Sequence, residues 1–564
     1  MSVPRIALSA TGTSMSLLVA LVCALLYLVT KAYLSRKVIN DLRKQGLPMP
    51  PFSWIAGHML VIKECLEDLP VDAVFNYTAR RLSLDFPKHH MFYLDFWPIS
   101  TPFLVVANPF AASQITQQLN ARKPDAVESA FQSLAGGPNL ITMPTGPWKK
   151  WRSIFSPGFS PAYMLEQVPK MVEKAEVFCQ LLREKAAQGA VFQLEEATFR
   201  LTIDVIGLIS LDSDFNYQTS DSEFPATLRS LIEWATFGDE INPLKRWNPY
   251  RPFISWYYGR RLDTFIHAEL EKRFAERKQF LQPEKPKDRK VRSIVSLALD
   301  SYMTEHPSAE SSPTLDPTFK TYATAQLRLF LVAGHDTTSS AMTYTLHLLH
   351  THPAFLARVR AEHDKVFGPD PSAAAALLAA DPSLLNKLPL TLAAVKESLR
   401  LFPPAGGIRM GAPDIVLTAE DGTRFPTDGC SVWVVHEAVH RNSALWPRAN
   451  EFVPERWVAR GEEGYDEALQ PRVKGAWRPF EVGPRNCIGQ TLALTEIKTV
   501  LVVVLRRFDI RPAYEEWDGM DSRRRRRRRR GVKRAMGERA YQVSGGGGGQ
   551  HPAERYPCRV SVRR

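Results

Sequence analysis

Residues 6–30 carry no charge, and every position from 17 to 29 is apolar. At about 1.5 Å of rise per residue such a stretch spans roughly 30 Å of hydrocarbon, so the pattern predicts a transmembrane helix over 6–30. A cleaved signal peptide is the competing reading. Against it, Lys31, Arg36, Lys37, Arg43 and Lys44 follow the apolar run without a small-x-small cleavage site. Only Arg5 precedes it, and this asymmetry predicts a lumenal N-terminus and a cytosolic bulk. Farther along, apolar residues recur at helical spacing over 161–185, 195–211, 258–280, 319–352, 353–367 and 490–508. Strand-like runs are shorter: a hairpin over 91–106 interrupted by Pro98 and Pro102, then 414–417, 431–435 and the far C-terminus. The pattern predicts a mainly α fold with a smaller β-sheet lobe, of the α+β class, behind one N-terminal membrane helix.

Between anchor and domain lies Gly46-Leu-Pro-Met-Pro-Pro51, whose prolines exclude helix. Residues 31–51 are therefore expected to form a basic, proline-rich hinge, and 52–564 one catalytic domain. The net charge of +13 invites a nucleic-acid reading. Eight of those charges are the consecutive arginines at 523–530, however, and without them the balance falls to +5, so no specific nucleic-acid partner is expected. With the glycines at 545–549, this makes 518–552 a low-complexity Arg/Gly-rich insertion, read as a solvated disordered loop. Attraction to anionic lipid or to an acidic electron donor is its alternative reading. Six cysteines, at 23, 65, 179, 430, 487 and 558, show no C-x-x-C spacing, which excludes a disulfide scaffold or a structural zinc site.

One cysteine stands apart. Phe480-Glu-Val-Gly-Pro-Arg-Asn-Cys-Ile-Gly489 sets Cys487 in a glycine-punctuated loop leading into an apolar helix. Unpaired N–H groups at a helix start, with Arg485 nearby, favour a thiolate there. Gly483 and Gly489 let the backbone turn close to a flat macrocycle, and Phe480 covers the sulfur from water. The loop thus reads as a haem-thiolate site with Cys487 as the axial iron ligand. A second polar cluster, Ala333-Gly-His-Asp-Thr-Thr-Ser339, interrupts an apolar helix. It is either a kink whose hydroxyls bond back to the preceding turn or a proton route, with Asp336 as carboxylate shuttle, Thr337 as local donor and Gly334 leaving room over the metal. His436 and His440 lie at i, i+4 but have no third ligand near in sequence.

The cysteine loop resembles the haem-binding signature of the cytochrome P450 family, Phe-x-x-Gly-x-Arg-x-Cys-x-Gly, at every fixed position. The cluster at 333–337 is similar to that family's Ala/Gly-Gly-x-Asp/Glu-Thr motif. Glu397-Ser-Leu-Arg400 reads by itself as a surface ion pair. Followed by Phe452-Val-Pro-Glu-Arg-Trp457, it resembles the family's Glu-x-x-Arg and Pro-Glu-Arg-Trp elements, which implies a buried network of Glu397, Arg400 and Arg456 bracing the cysteine loop. Haem propionates need cations, and the resemblance implies Arg485, Arg409 and the Trp148-Lys-Lys-Trp-Arg152 helix, with Trp148 and Arg152, while Ala333 and Gly334 border the haem.

The resemblance covers nearly the whole chain from the anchor onward. It implies a P450 fold, haem b, and electrons from NADPH through NADPH-cytochrome P450 reductase, with cytochrome b5 as a further donor. It also implies a single-pass anchor in the endoplasmic reticulum membrane with a cytosolic catalytic domain. The implied reaction is insertion of one oxygen atom of O2 into a small apolar substrate by hydroxylation, epoxidation or desaturation. The stretches 400–409 and 537–543 are similar to fungal members of secondary metabolism, in polyketide or terpenoid pathways. Alternatives are a fatty acid or xenobiotic hydroxylase, a reductase-independent isomerase or dehydratase, which the Asp336-Thr337 pair opposes, and a membrane-tethered binding protein using its arginine run. Substrate choice is expected to reside in 123–142 and 215–241.

Overall fold

In the computed structural model the uncharged N-terminal stretch belongs to helix α1 (Ala10–Lys44), which does not stop where the apolar run ends. Met15–Lys44 is, among the described residues, the one helix long and apolar enough to cross a membrane, and its apolar window is buried against nothing in the protein. Its last turns dock on the domain. Arg36 pairs with buried Asp95 and donates to the Trp54 and Ile55 carbonyls, both at 3.1 Å. Ile39 and Leu42 join the core of the β lobe. The expected hinge at 31–51 is corrected accordingly: nothing in 31–44 breaks a helix, so only Gly46, at φ +75°, and the prolines after it leave the helical path. The structure describes residues 10–97, 99–237, 248–280, 293–462, 464–520, 533–545 and 547–563. The arginines at 523–530 and part of the 215–241 segment lie outside them.

Six further helices and eight strands carry the argument: α2 (Thr145–Phe155), α3 (Val168–Ala187), α4 (Leu194–Leu211), α5 (Pro317–Thr351), α6 (Pro389–Leu401) and α7 (Gln490–Leu505); β1 (Met91–Leu94), β2 (Phe103–Val106), β3 (Gly407–Met410), β4 (Ser431–Val434), β5 (Phe508–Pro512), β6 (Gln542–Ser544), β7 (Gln550–Pro552) and β8 (Pro557–Val562). The apolar run 161–185 is two helices, Pro161–Glu166 and α3, because Pro169 has no N–H to continue the ladder. Helix α5 opens with Asp316 capping the Phe319 N–H at 2.7 Å and Pro317 in its first turn. It then runs through the middle of the molecule, with most side chains buried, and packs along α4. The double proline at 403–404 stops α6.

The four-stranded sheet has order β1-β2-β4-β3, with β2 and β4 parallel and the other pairs antiparallel. Strand β8 pairs antiparallel with β5 and with Phe192–Gln193. The segment 518–552, expected to be a disordered insertion, is only in part outside the described residues. Its second half is the β6–β7 hairpin, which the core holds in place: Tyr344 donates to the Ala540 carbonyl (2.9 Å), Ser340 to that of Gln550 (2.6 Å) and the Gln542 amide to that of Pro403 (3.0 Å). Glycine content read as low complexity is here the tip of a docked hairpin.

Candidate active site

Cys487 lies two residues ahead of Gly489, the N-cap of α7, and its N–H donates to the Phe480 carbonyl at 2.8 Å, closing the loop on itself. Phe480 packs edge-on against Trp477 at 6.0 Å. Gly483, at φ +111°, sits where a Cβ would strike the Thr116 carbonyl at 2.5 Å, so this turn requires glycine. Gly489 does not: its φ is −83°, and a Cβ would lie 3.8 Å from the cysteine sulfur, an ordinary contact. Its contribution is its N–H, which faces the sulfur.

The sulfur is deep in the protein yet not packed over, standing open to interior space. Burial pushes the Cys487 thiol up, against the Gly489 N–H and Arg152, which pull it down. Two expectations change here. The cation beside the sulfur is Arg152 rather than Arg485, and the free cysteine is a thiol, so a bound metal must drive its deprotonation.

Helix α5 also opens to interior space, at a single stretch. Ala333 is exposed between buried Val332 and His335, and Thr337, one turn on, is half-exposed on the same face. The Thr337 hydroxyl donates back to the Ala333 carbonyl at 2.9 Å. Asp336 is turned away beneath the β6–β7 hairpin, 4% exposed, so the expected acid–hydroxyl pair is split between two faces of the helix. Gly334 is corrected as well: its missing side chain makes room for Ile206 of α4, 3.0 Å from a built Cβ, rather than for a metal.

The cations expected for propionates divide in two. Arg152 clamps the cysteine loop, donating to the Asn486 carbonyl (3.1 Å) and side chain (3.0 Å). Trp148 is buried beneath the Arg485 guanidinium, 4.9 Å from the ring centre. Arg485 donates to the Met143 carbonyl at 2.9 Å, and Arg409, buried on β3, to the carbonyl of its own neighbour Ile408 at 2.9 Å. Sequence reasoning missed the third member of this group, Lys123. Burial first, then Arg409 and Arg485, hold its ammonium well below the usual lysine value, and Glu481 only partly offsets them. Glu481 is already bound to Arg478 at 2.7 Å. Three cations with no carboxylate of their own fit a dianionic edge such as the two haem propionates. Lys123→Met and Arg409→Leu are each expected to speed haem loss about ten- to a hundredfold, the worth of a charged hydrogen bond, measured by haem transfer to apomyoglobin.

Glu397, Arg400 and Arg456 do come together, and they are wholly buried. Glu397 accepts from Arg400 Nε (2.9 Å) and Nη2 (2.8 Å), Arg456 Nε (3.1 Å), Trp457 Nε1 (3.0 Å) and the Val453 N–H (2.9 Å). His440, suggested by spacing as half of a metal pair, instead links this network to the cysteine loop. Its Nδ1 faces the Arg400 carbonyl at 3.1 Å, and its Nε2 accepts from the Arg478 N–H at 3.0 Å. His436 faces the Ala405 carbonyl at 3.0 Å.

A family model described as Cytochrome P450 matches residues 48–523. Cytochrome P450 monooxygenase polC of Polytolypa hystricis is 38% identical over 96% of this chain and 95% of its own length. Cytochrome P450 monooxygenase acrF of Aspergillus aculeatus is 34% identical over 80% of this chain and 90% of its own. The crystal structure of a cytochrome P450DA heme domain superposes with a TM-score of 0.66 at 20% identity, covering 92% of this chain and 97% of that one. The fold, the sulfur-bearing loop and these relatives agree: the chain belongs to the cytochrome P450 family.

Proposed function

We propose that the protein is a membrane-anchored haem-thiolate monooxygenase of fungal secondary metabolism, inserting one atom of O2 into a small apolar substrate. The observation that carries this reading is the interior-open sulfur of Cys487 with Lys123, Arg409 and Arg485, cations that have no carboxylate of their own. Cys487 would hold the haem iron and those cations its propionates, and Ala333 and Thr337 of α5 would border the bound group. Haem, when bound, supplies the metal at which dioxygen is reduced and split. The chain supplies position and protons. Thr337 Oγ1, fixed by its bond to the Ala333 carbonyl, presents a hydroxyl to the interior space, and Asp336, an ionised carboxylate on the other face of the helix, relays protons toward it by way of solvent. Phe131 and Phe237, edge to face at 5.2 Å, offer an apolar wall that excludes water from a substrate.

In this reading the α1 anchor places the domain on the cytosolic face of the endoplasmic reticulum, within reach of NADPH-cytochrome P450 reductase and cytochrome b5. The test is reconstitution of the haem-loaded protein with that reductase in lipid vesicles. NADPH-dependent dioxygen consumption is expected, slowed by about 10²- to 10⁴-fold in Asp336→Asn. Turnover of a substrate without reductase would instead make the protein an isomerase or dehydratase.

A further inference from the structure

The β6–β7 hairpin brings a histidine to the far side of Asp336. His551 sits between two carboxylates on different helices: its Nδ1 is 2.7 Å from Glu195 Oε1 of α4, and its Nε2 is 3.2 Å from Asp336 Oδ1 of α5. Both carboxylates are almost completely buried. A neutral imidazole has only one N–H, so both nitrogens facing carboxylates requires either a charged ring or a proton shared with one partner. We propose that His551 is the positioning residue of Asp336, fixing its carboxylate through a shared proton and being held charged by Glu195. The proposal rests on Asp336 being the proton-relaying carboxylate of the function above.

The glycine run is the second observation. A Cβ at Gly547 would fall 2.9 Å from Asp336 Oδ2, one at Gly549 would overlap the same oxygen, and one at Gly545 would overlap the His551 ring. The Gly549 N–H also lies toward the Asp336 carboxylate and favours its charge. Side chains at these positions would lift the hairpin off the acid. Gly547 and Gly549 are bare because the hairpin lies against Asp336, and Gly545 because it lies against His551.

The surrounding charges are few. Glu195 faces the ring from α4, and Asp336 and His335 from α5; Arg555, bonded to Glu196, approaches Glu195 from beyond β7, and Arg229, also bonded to Glu196 (2.6 Å), lies behind His335. Burial opposes charge on His551, yet Glu195 and Asp336 together hold it well above the usual histidine value. Burial likewise opposes charge on Asp336, and His551, by its charge and its hydrogen bond, holds it below the usual carboxylate range. His335, by contrast, is pushed down by burial and stays neutral. The proton bookkeeping closes. When Thr337 gives up its hydroxyl proton, the Nε2–H of His551 passes to Asp336 Oδ1 and from there by way of solvent to Thr337 Oγ1, the Nδ1–H stays with Glu195, and the ring, 13% exposed, regains its proton from water.

The experiment compares haem-loaded wild type, His551→Gln, Glu195→Gln, Asp336→Asn and the Asp336→Asn/His551→Gln double variant. Expected are an unchanged reduced carbon monoxide difference spectrum in His551→Gln and dioxygen consumption, with NADPH and reductase, slowed about ten- to a hundredfold. An enlarged solvent deuterium isotope effect and no further slowing in the double variant are also expected. Thermal stability gives a readout apart from turnover. His551 has a raised folded-state pKa, so its contribution is full below the unfolded value of about 6.5 and fades as pH rises toward the folded one. The Tm gap between wild type and His551→Gln therefore narrows as pH rises above about 6.5. Should His551→Gln fail to hold haem, Glu195→Gln, which keeps the shape and removes the charge, is expected to act in the same direction. A pH-independent Tm gap, or wild-type dioxygen consumption in both single variants, overturns the proposal. If Asp336→Asn itself consumes dioxygen normally, the acid assignment fails; if it is slow while the other two are not, only His551 fails.

Discussion

Cys487→Ser is expected to take up no haem with a thiolate-type reduced carbon monoxide spectrum and to lose turnover down to background. The reason lies in the environment more than in the ligand atom. Burial already opposes charge at this position, and the Gly489 N–H and Arg152 leave the free thiol above its usual value. A soft sulfur can still surrender its proton to a bound iron; a serine hydroxyl, far less acidic and harder, has no comparable route to an anion in the same surroundings. The fold should survive, since the two side chains are nearly the same size and an imperfectly bonded hydroxyl costs about 1–3 kcal/mol. The measurement is the reduced carbon monoxide difference spectrum of both purified proteins beside their far-ultraviolet circular dichroism. A folded Cys487→Ser protein with the wild-type spectrum would remove the sulfur from the iron and with it the proposed function.

Arg152→Ala is the companion case, because that guanidinium also ties Asn486 to α2. It changes the loop and the charge together, so Cys487→Ser is the cleaner test of ligation.

What the sequence disclosed about this site follows from chemistry that needs fixed residue types at fixed offsets. A sulfur in a tight turn needs glycine at 483, so that residue was legible as text; Glu397 and Arg400 alone read as a surface ion pair, and their buried network with Arg456 was legible only through the family resemblance. Lys123 was not legible, because its burial beside Arg409 and Arg485 depends on segments 286 and 362 residues away, and nothing local distinguishes it from a solvated lysine. The same holds for His551, whose partner Glu195 is 356 positions distant. The glycine run misled for a related reason: locally it is featureless, and the requirement for bare backbone is imposed by Asp336 across the interface. The helix read over 6–30 was ended too early, since hydropathy reports the apolar run and not the ion pair of Arg36 with Asp95 by which the helix continues onto the domain. Gly334 shows the reverse error, a motif residue whose observed neighbour is Ile206.

Glu397→Ala is expected to be the most destabilising single change in the domain. The carboxylate is fully buried and accepts five hydrogen bonds, three of them from two arginines that are themselves buried. Burial pushes Glu397 up, but Arg400, Arg456 and the Val453 N–H outweigh it and hold the group below the usual carboxylate range. Removing it leaves two guanidiniums without a counter-ion in a site closed to water, which costs about 3–5 kcal/mol. Against a total stability of about 5–15 kcal/mol for a typical native protein, that is a large fraction. Glu397→Gln should cost nearly as much, because its amide places N–H donors against the arginine donors. The network also anchors the carbonyls of His440, Ala449 and Glu451 through Arg400. Loss therefore propagates through His440 to the backbone of Arg478 and the cysteine loop, and haem retention should fall with the Tm. The pH dependence has a definite sign. A carboxylate lowered in the folded state stabilises at pH above its unfolded value near 4.5 and loses that contribution as pH falls through the folded one. The Tm difference between wild type and Glu397→Ala should thus be full at pH 7 and shrink below pH 4.5. Scanning calorimetry from pH 7 downward measures it, and a Glu397→Ala protein with wild-type Tm at pH 7 would mean that the buried arginines are satisfied without the carboxylate.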